Sequence, residues 1–253
     1  MRVIDQSTQR QDGGTAIPSA EPHHNSRGEW PRSHPWIDTT FALAVTLVLV
    51  VFVALCAFAR PSLDDYVIAC RVREHGLVGA QVFWYEQWTG KYFGMMCMSL
   101  FAGAVDLDGS YWLAPSIVLL AVFSVLLAVA RTISPKSSWR VALVVSALLT
   151  AIFLAGVPAP RESIYWLTGA YAYLIGGVTL VALLALLLAK PVSRTGRTAN
   201  AAASAIAAFC AVGSCETLMF PLLALAMGWI VAVISGRAGW SPRGIAVVIA
   251  IAV

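Results

Sequence analysis

The sequence predicts an all-α protein, a polytopic bundle of transmembrane helices. Three observations carry that expectation. Mean hydropathy is +0.76, with 59% hydrophobic and only 12% charged residues, a composition that belongs to membrane proteins. Apolar runs recur along the chain at lengths near the ~19–20 residues that cross a bilayer as helix. The charges between those runs also alternate in sign.

The spans fall near residues 39–59, 111–130, 140–157, 170–189, 200–214 and 217–235. A seventh apolar run, Gly244 to Val253, covers about half the hydrocarbon core at ~1.5 Å per residue. It predicts a chain truncated at this point, with further helices beyond it. The run at 200–214 is rich in Ala and Ser, a composition suited to close helix contact, and is expected inside the bundle.

Residues 1–38 precede the first span. They are polar, hold Gly13-Gly14 and four scattered prolines, and show no apolar periodicity. Such a segment cannot bury a core and reads as a disordered cytoplasmic tail. Its apolar successor starts too late and runs too long for a secretory signal. His23 and His24 are adjacent but read as a solvated pair with no role. The rest, 39–253, forms one membrane domain.

Charge sets the orientation. The loops Arg131 to Arg140 and Lys190 to Arg197 carry six Lys/Arg and no acid, and Arg237 and Arg243 follow the sixth span. Every acid beyond the tail lies in the alternate loops: Asp64, Asp65, Glu74, Glu86, Asp106, Asp108, Glu162 and Glu216. By the positive-inside rule the N-terminus is cytoplasmic and the acidic loops lie outside. The net charge of +4 is thus a topology signal, and no nucleic-acid partner is expected.

The segment 60–110 is the largest outer loop. Pro61 stops the first helix, and Ser62 or Asp64 could cap the next. Gly76, Gly79, Gly90 and Gly94 divide the segment into two or three interfacial helices. Five cysteines follow two patterns. Cys56 and Cys210 lie in spans as small apolar residues, while Cys70, Cys97 and Cys215 fall on the outer side, where a disulfide could form.

Four constellations could carry chemistry. Asp64-Asp65 emerges just past the first span, where carboxylates are costly. The pair could bind a divalent cation or serve as a general base, or it could simply cap a helix. In Phe83 to Phe93, Trp84, Trp88 and Tyr92 recur every four residues, a single helical face that could stack on sugar rings, with Lys91 placed for a phosphate. An interfacial aromatic belt is the plainer reading. Pro158 to Tyr171 offers Arg161 either as the ion-pair partner of Glu162 or for an anionic headgroup or pyrophosphate, and the aromatics Trp166 and Tyr171 as belt or pocket. Gly213-Ser214-Cys215-Glu216 places a lone acid, Glu216, in apolar surroundings.

Together these segments resemble the GT-C superfamily of integral-membrane glycosyltransferases, most closely the bacterial O-antigen glucosyltransferase-like proteins. The likeness covers about residues 39–235. It rests on Asp64-Asp65-Tyr66, on Trp88-Thr89-Gly90-Lys91-Tyr92, on Trp166-Leu167-Thr168-Gly169 with Tyr173, and on Glu216 beside a Gly/Ser pair. Lys91 departs from the pattern, where Arg is commoner, and the later helices are missing. The resemblance implies a multi-pass protein of the bacterial inner membrane with its first large loop periplasmic. It implies sugar transfer from a polyprenyl-phosphate donor to a cell-envelope glycan or lipid acceptor. Asp64 or Asp65 would act as base; Trp88, Lys91, Tyr92, Arg161, Glu162, Trp166, Tyr171 and Glu216 would bind substrate. A divalent cation, Mg or Mn, would be an optional cofactor at the two aspartates. The competing class is a transporter or flippase using Glu216 and Arg161 as binding groups.

Overall fold

The computed structural model describes residues 35–236 and, beyond them, Gly244, Ile245, Val247, Val248 and Ile251. Residues 1–34 of the expected tail and most of the seventh run therefore lie outside the described residues, while the tail's last four, 35–38, are already helical. Two compact units divide at Thr39; α1 begins in the first, and everything below from Thr40 on belongs to the second, Thr40–Val253.

Among the described residues every regular element is a helix. In chain order these are α1 (Pro35–Cys56), α2 (Leu63–Gln87), α3 (Tyr92–Ala104), the short α4 (Leu107–Ser110), α5 (Leu113–Ile133), α6 (Trp139–Gly156), α7 (Leu167–Gly169), α8 (Ile175–Leu188), α9 (Arg194–Val212) and α10 (Met219–Ile234). Two π-helical turns, Arg161–Tyr165 and Ala170–Leu174, flank α7. Four helical stretches are long and apolar enough to cross a membrane: Leu113–Ile133, Trp139–Gly156, Leu167–Leu188 and Glu216–Ile234. Their outward faces carry Leu120, Val144, Ile152, Leu188 and Met227, apolar surface that suits lipid and not water.

Two expected spans differ. The described apolar part of the first, Ala42–Cys56, is short for a crossing. The run at 200–214 belongs to α9, whose first turns bring Arg194, Arg197 and Asn200 into the helix and lower its hydropathy. It buries only a stripe of small residues, Ser204, Ala208 and Ala211, against its neighbours, while Ile206 and Phe209 stay exposed. It is a half-buried helix, not an interior one.

The loop 60–110 folds into more continuous helix than its glycines suggested. Only Gly76 interrupts α2, with φ of +67°, a left-handed conformation that glycine adopts without steric cost. Gly94 instead lies inside α3, where its missing Cβ lets the backbones of Tyr171, Ala172 and Ser214 approach. Helix α2 packs on α3, α5 on α6 and α8, and α8 on α9. The α2–α3 pair buries Trp84, Met98 and Phe101 in one core with Tyr111, Leu167 and Tyr171. A smaller cluster holds α1 through Cys56 against Leu119, Leu154 and Ile164. Trp84 and Trp88 neighbour each other with ring centroids 5.2 Å apart, but Tyr92 starts the next helix, so the expected single aromatic face is broken. All five cysteines are free, and no disulfide joins Cys70, Cys97 or Cys215.

Candidate functional site

Asp65 and the Trp166–Gly169 segment, distant in sequence, meet in space. Asp65 is fully buried, at 0% exposure. Its Oδ2 accepts hydrogen bonds from the Ser62 amide at 2.7 Å, the Ser62 hydroxyl at 3.3 Å and the Tyr111 hydroxyl at 2.8 Å. Its Oδ1 accepts from the Thr168 hydroxyl at 3.1 Å. Tyr111 in turn accepts from the Leu167 amide at 2.8 Å, satisfying a free donor at the start of α7. Burial pushes the Tyr111 hydroxyl above the usual phenol range, and the neighbouring Asp65 adds to the shift, so Tyr111 stays a donor. One carboxylate thereby caps α2 and fixes both the turn before α5 and the start of α7. Tyr111 was missed because a tyrosine at the head of a span reads as belt; only its contacts identify it.

Asp64, by contrast, is half-buried, with no hydrogen bond or ion pair among the described residues. Tyr66 donates to Asp108 at 2.6 Å, a bond that raises the tyrosine's pKa.

An open cleft of about 900 Å³ lies where α1 ends. Its lining includes the apolar side chains of Leu55, Phe58 and Ala59 and the polar or aromatic ones of Arg60, Ser62, Arg161, Glu162, Tyr165 and Trp166. Arg60 donates to the Ala57 and Ala59 carbonyls at 3.1 and 2.8 Å, a cation at a helix C-terminus where the dipole favours it. Arg161 and Glu162, expected to pair, do not: both are exposed and neither side chain has a partner among the described residues. The Tyr165 hydroxyl donates to the Phe52 carbonyl at 2.8 Å, tying this wall to α1. The indole N–H of Trp166 is buried and unpartnered.

The backbone behind Arg161 and Glu162 is tightly constrained. Ala159 has φ of +48°, a left-handed conformation costing a non-glycine residue roughly 1–2 kcal/mol. Its carbonyl accepts from the Glu162 and Ser163 amides at 3.0 and 3.1 Å. Gly169 packs so closely on the Glu162 carbonyl that any Cβ would collide with it. Strain and π-helical turns of this kind gather at functional sites.

Lys91 and Glu216 form a separate pair at 3.2 Å, with the ammonium 5.2 Å from the centroid of the Tyr173 ring. Burial works against the Lys91 charge, but Glu216 and Tyr173 outweigh it and hold its pKa above the ordinary lysine value. The pair forms because the first amides of α3, Phe93 and Gly94, donate to the Gly213 carbonyl at 2.7 and 3.2 Å. Tyr92 serves the same junction, its hydroxyl donating to the Phe209 carbonyl at 2.8 Å. Tyr171 is buried in the core and Trp88 is exposed. Of the expected binding residues, the cleft thus gathers Arg161, Glu162 and Trp166; it adds Arg60, and leaves out Asp64, Asp65, Trp88, Lys91, Tyr92, Tyr171 and Glu216.

Among the described residues no three His, Cys, Asp or Glu side chains converge as a cation site. Asp65 has both oxygens engaged by protein donors, so the Asp64–Asp65 pair does not fit a divalent cation, which needs free oxygen ligands. What fold and site define together is an all-helical chain with four helices fit to cross a membrane and a cationic cleft beside them. No protein-family model, curated protein or solved structure matches the sequence.

Proposed function

We propose that the protein is a membrane glycosyltransferase, or the N-terminal part of one, that takes a sugar from a polyprenyl-phosphate donor held in the cleft beside α1. The observation that carries this reading is the split character of that cleft. Its lining joins the apolar Leu55, Phe58 and Ala59 at the end of α1 to the cations Arg60 and Arg161. A lipid phosphate has the same two halves, a tail that stays in hydrocarbon and an anionic head at the surface. Arginine is suited to the head because its fork of donors matches phosphate oxygens. Trp166 and Tyr165 supply flat faces for the sugar. The acceptor is a glycan or lipid of the cell envelope.

In this reading the chain crosses a bacterial inner membrane six or seven times. The N-terminus is cytoplasmic and the α2–α3 segment lies on the outer side. The charge alternation and the four long apolar helices support it. The transporter reading loses support because Glu216 is paired with Lys91 and does not face Arg161.

Titration of the intact chain in lipid nanodiscs with farnesyl phosphate tests the donor site. Charge-assisted hydrogen bonds to a phosphate contribute about 1.5–3 kcal/mol each, so Arg161→Ala should weaken binding roughly ten- to a hundredfold. Equal affinity in wild type, Arg60→Ala and Arg161→Ala would sink the reading.

A further inference from the structure

A second cavity of about 450 Å³ adjoins the first. The two share Glu162 and Trp166 and no other lining residue. Those two side chains are therefore a common wall between spaces of different chemistry. The larger holds both arginines. The smaller holds none, and is lined instead by Phe153, Tyr173, Ser163 and Trp166. An aromatic pocket with a few polar groups suits a neutral ring compound better than an anion. Behind the wall the backbone is fixed, by the Ala159 turn and by the packing of Gly169 on the Glu162 carbonyl. The Glu162 carboxylate itself is exposed and has no partner among the described residues. It is a free base on a rigid mount.

We propose that the smaller cavity is the acceptor site, taking a sugar ring by its hydroxyl-bearing face, and that Glu162 is the general base of the transfer. This rests on the larger cavity being the donor site. The Glu162 carboxylate takes the proton of the acceptor hydroxyl as that oxygen forms its bond to the anomeric carbon. The anomeric C–O bond to the phosphate breaks, and its electron pair leaves with the lipid phosphate, whose charge Arg60 and Arg161 hold. Trp166 separates the two rings. Tyr173 continues the acceptor surface toward Lys91, whose ammonium lies 5.2 Å from its ring centroid and 3.2 Å from Glu216.

The test has two arms. In the first, cells lacking the gene are complemented with intact wild type, Glu162→Gln, Tyr173→Ala or Asp64→Asn, and envelope-glycan composition and protein level are measured. In the second, the purified proteins are titrated with farnesyl phosphate in nanodiscs. Glu162→Gln should lower product by about a hundredfold or more, as loss of a general base does, while farnesyl phosphate affinity stays within about twofold because the arginines remain. Tyr173→Ala should lower product with farnesyl phosphate binding unchanged. Wild-type product from Glu162→Gln at normal protein level overturns the proposal, as does product lost in Asp64→Asn but kept in Glu162→Gln; either leaves the donor site standing. A gene deletion that leaves the glycan unchanged, together with no farnesyl phosphate binding, overturns the donor site as well.

Discussion

Asp65 and Glu162 are acids of similar position and opposite use. Both follow a proline in the turn after a helix, both lie next to an apolar span, and the Ser62 side of one borders the cleft that the other lines. Asp65 is buried, with four donors on its two oxygens. Glu162 is exposed and has none among the described residues. The difference teaches that an ionisable residue beside hydrocarbon is costly for two separable reasons. One is a structure that needs a charge, the other a site that must keep one available. Partner count, and not proximity to the membrane, tells them apart.

The largest effect should come from Asp65→Ala. It leaves the Ser62 amide, the Tyr111 hydroxyl and the Thr168 hydroxyl without an acceptor in a buried site, at a cost of about 4 kcal/mol. Heat or SDS unfolding in detergent micelles would measure it, and a loss as small as that of Glu162→Gln would erase the contrast. Gly169→Ala comes next, at about 3 kcal/mol by the same assay, since the new methyl meets the Glu162 carbonyl and the backbone must move. Lys91→Met should cost under about 1 kcal/mol, because Glu216 is well exposed and solvent screens the pair. Its pH dependence has a definite sign. The folded pKa of Lys91 is raised above 10.5, so its contribution is complete below pH 10.5 and is lost as pH rises through the folded value. The gap between wild type and variant should therefore close in that alkaline range, and again in acid as Glu216, whose pKa its own backbone amide and Lys91 hold down, takes up its proton. Smallest is Trp166→Phe, which should change stability by under about 0.5 kcal/mol. The indole N–H it removes has no partner, so any loss of glycan product in that variant reports on substrate.

The helices were legible in the sequence because long apolar runs have few alternatives to helix. That Asp64-Asp65 and the Trp166-Leu167-Thr168-Gly169 run hold unusual residues at span ends was legible too. Their mutual contact was not. Asp65 and Thr168 are 103 residues apart, and Asp65 and Tyr111 are 46, separations that no local pattern encodes. Which aspartate was free was equally hidden, since both neighbours fit a helix cap until Ser62 and Tyr111 choose one. Arg60 was passed over because an arginine after a span reads as a stop signal. Its place in the cleft appears only once Pro160 and Arg161 fold back against α1. The break between α2 and α3 undid the aromatic stripe, since period-four spacing holds only while one helix continues.

The hydrogen bonds of the first loop also impose a timetable. Tyr92 bonds the Phe209 carbonyl across 117 residues, and Asp65 bonds Thr168 across 103. At roughly 5–20 residues per second of synthesis, these partners arrive about 5–23 s after the residues that need them. For that interval the Asp65 carboxylate has left the ribosome without Thr168, and the amides that open α3 without Gly213. The nascent loop must stay hydrated at the membrane surface until the later helices are inserted. Its burial waits for those helices, and a ribosome stalled between Tyr111 and Thr168 would hold the chain with that acid still lacking its Thr168 donor.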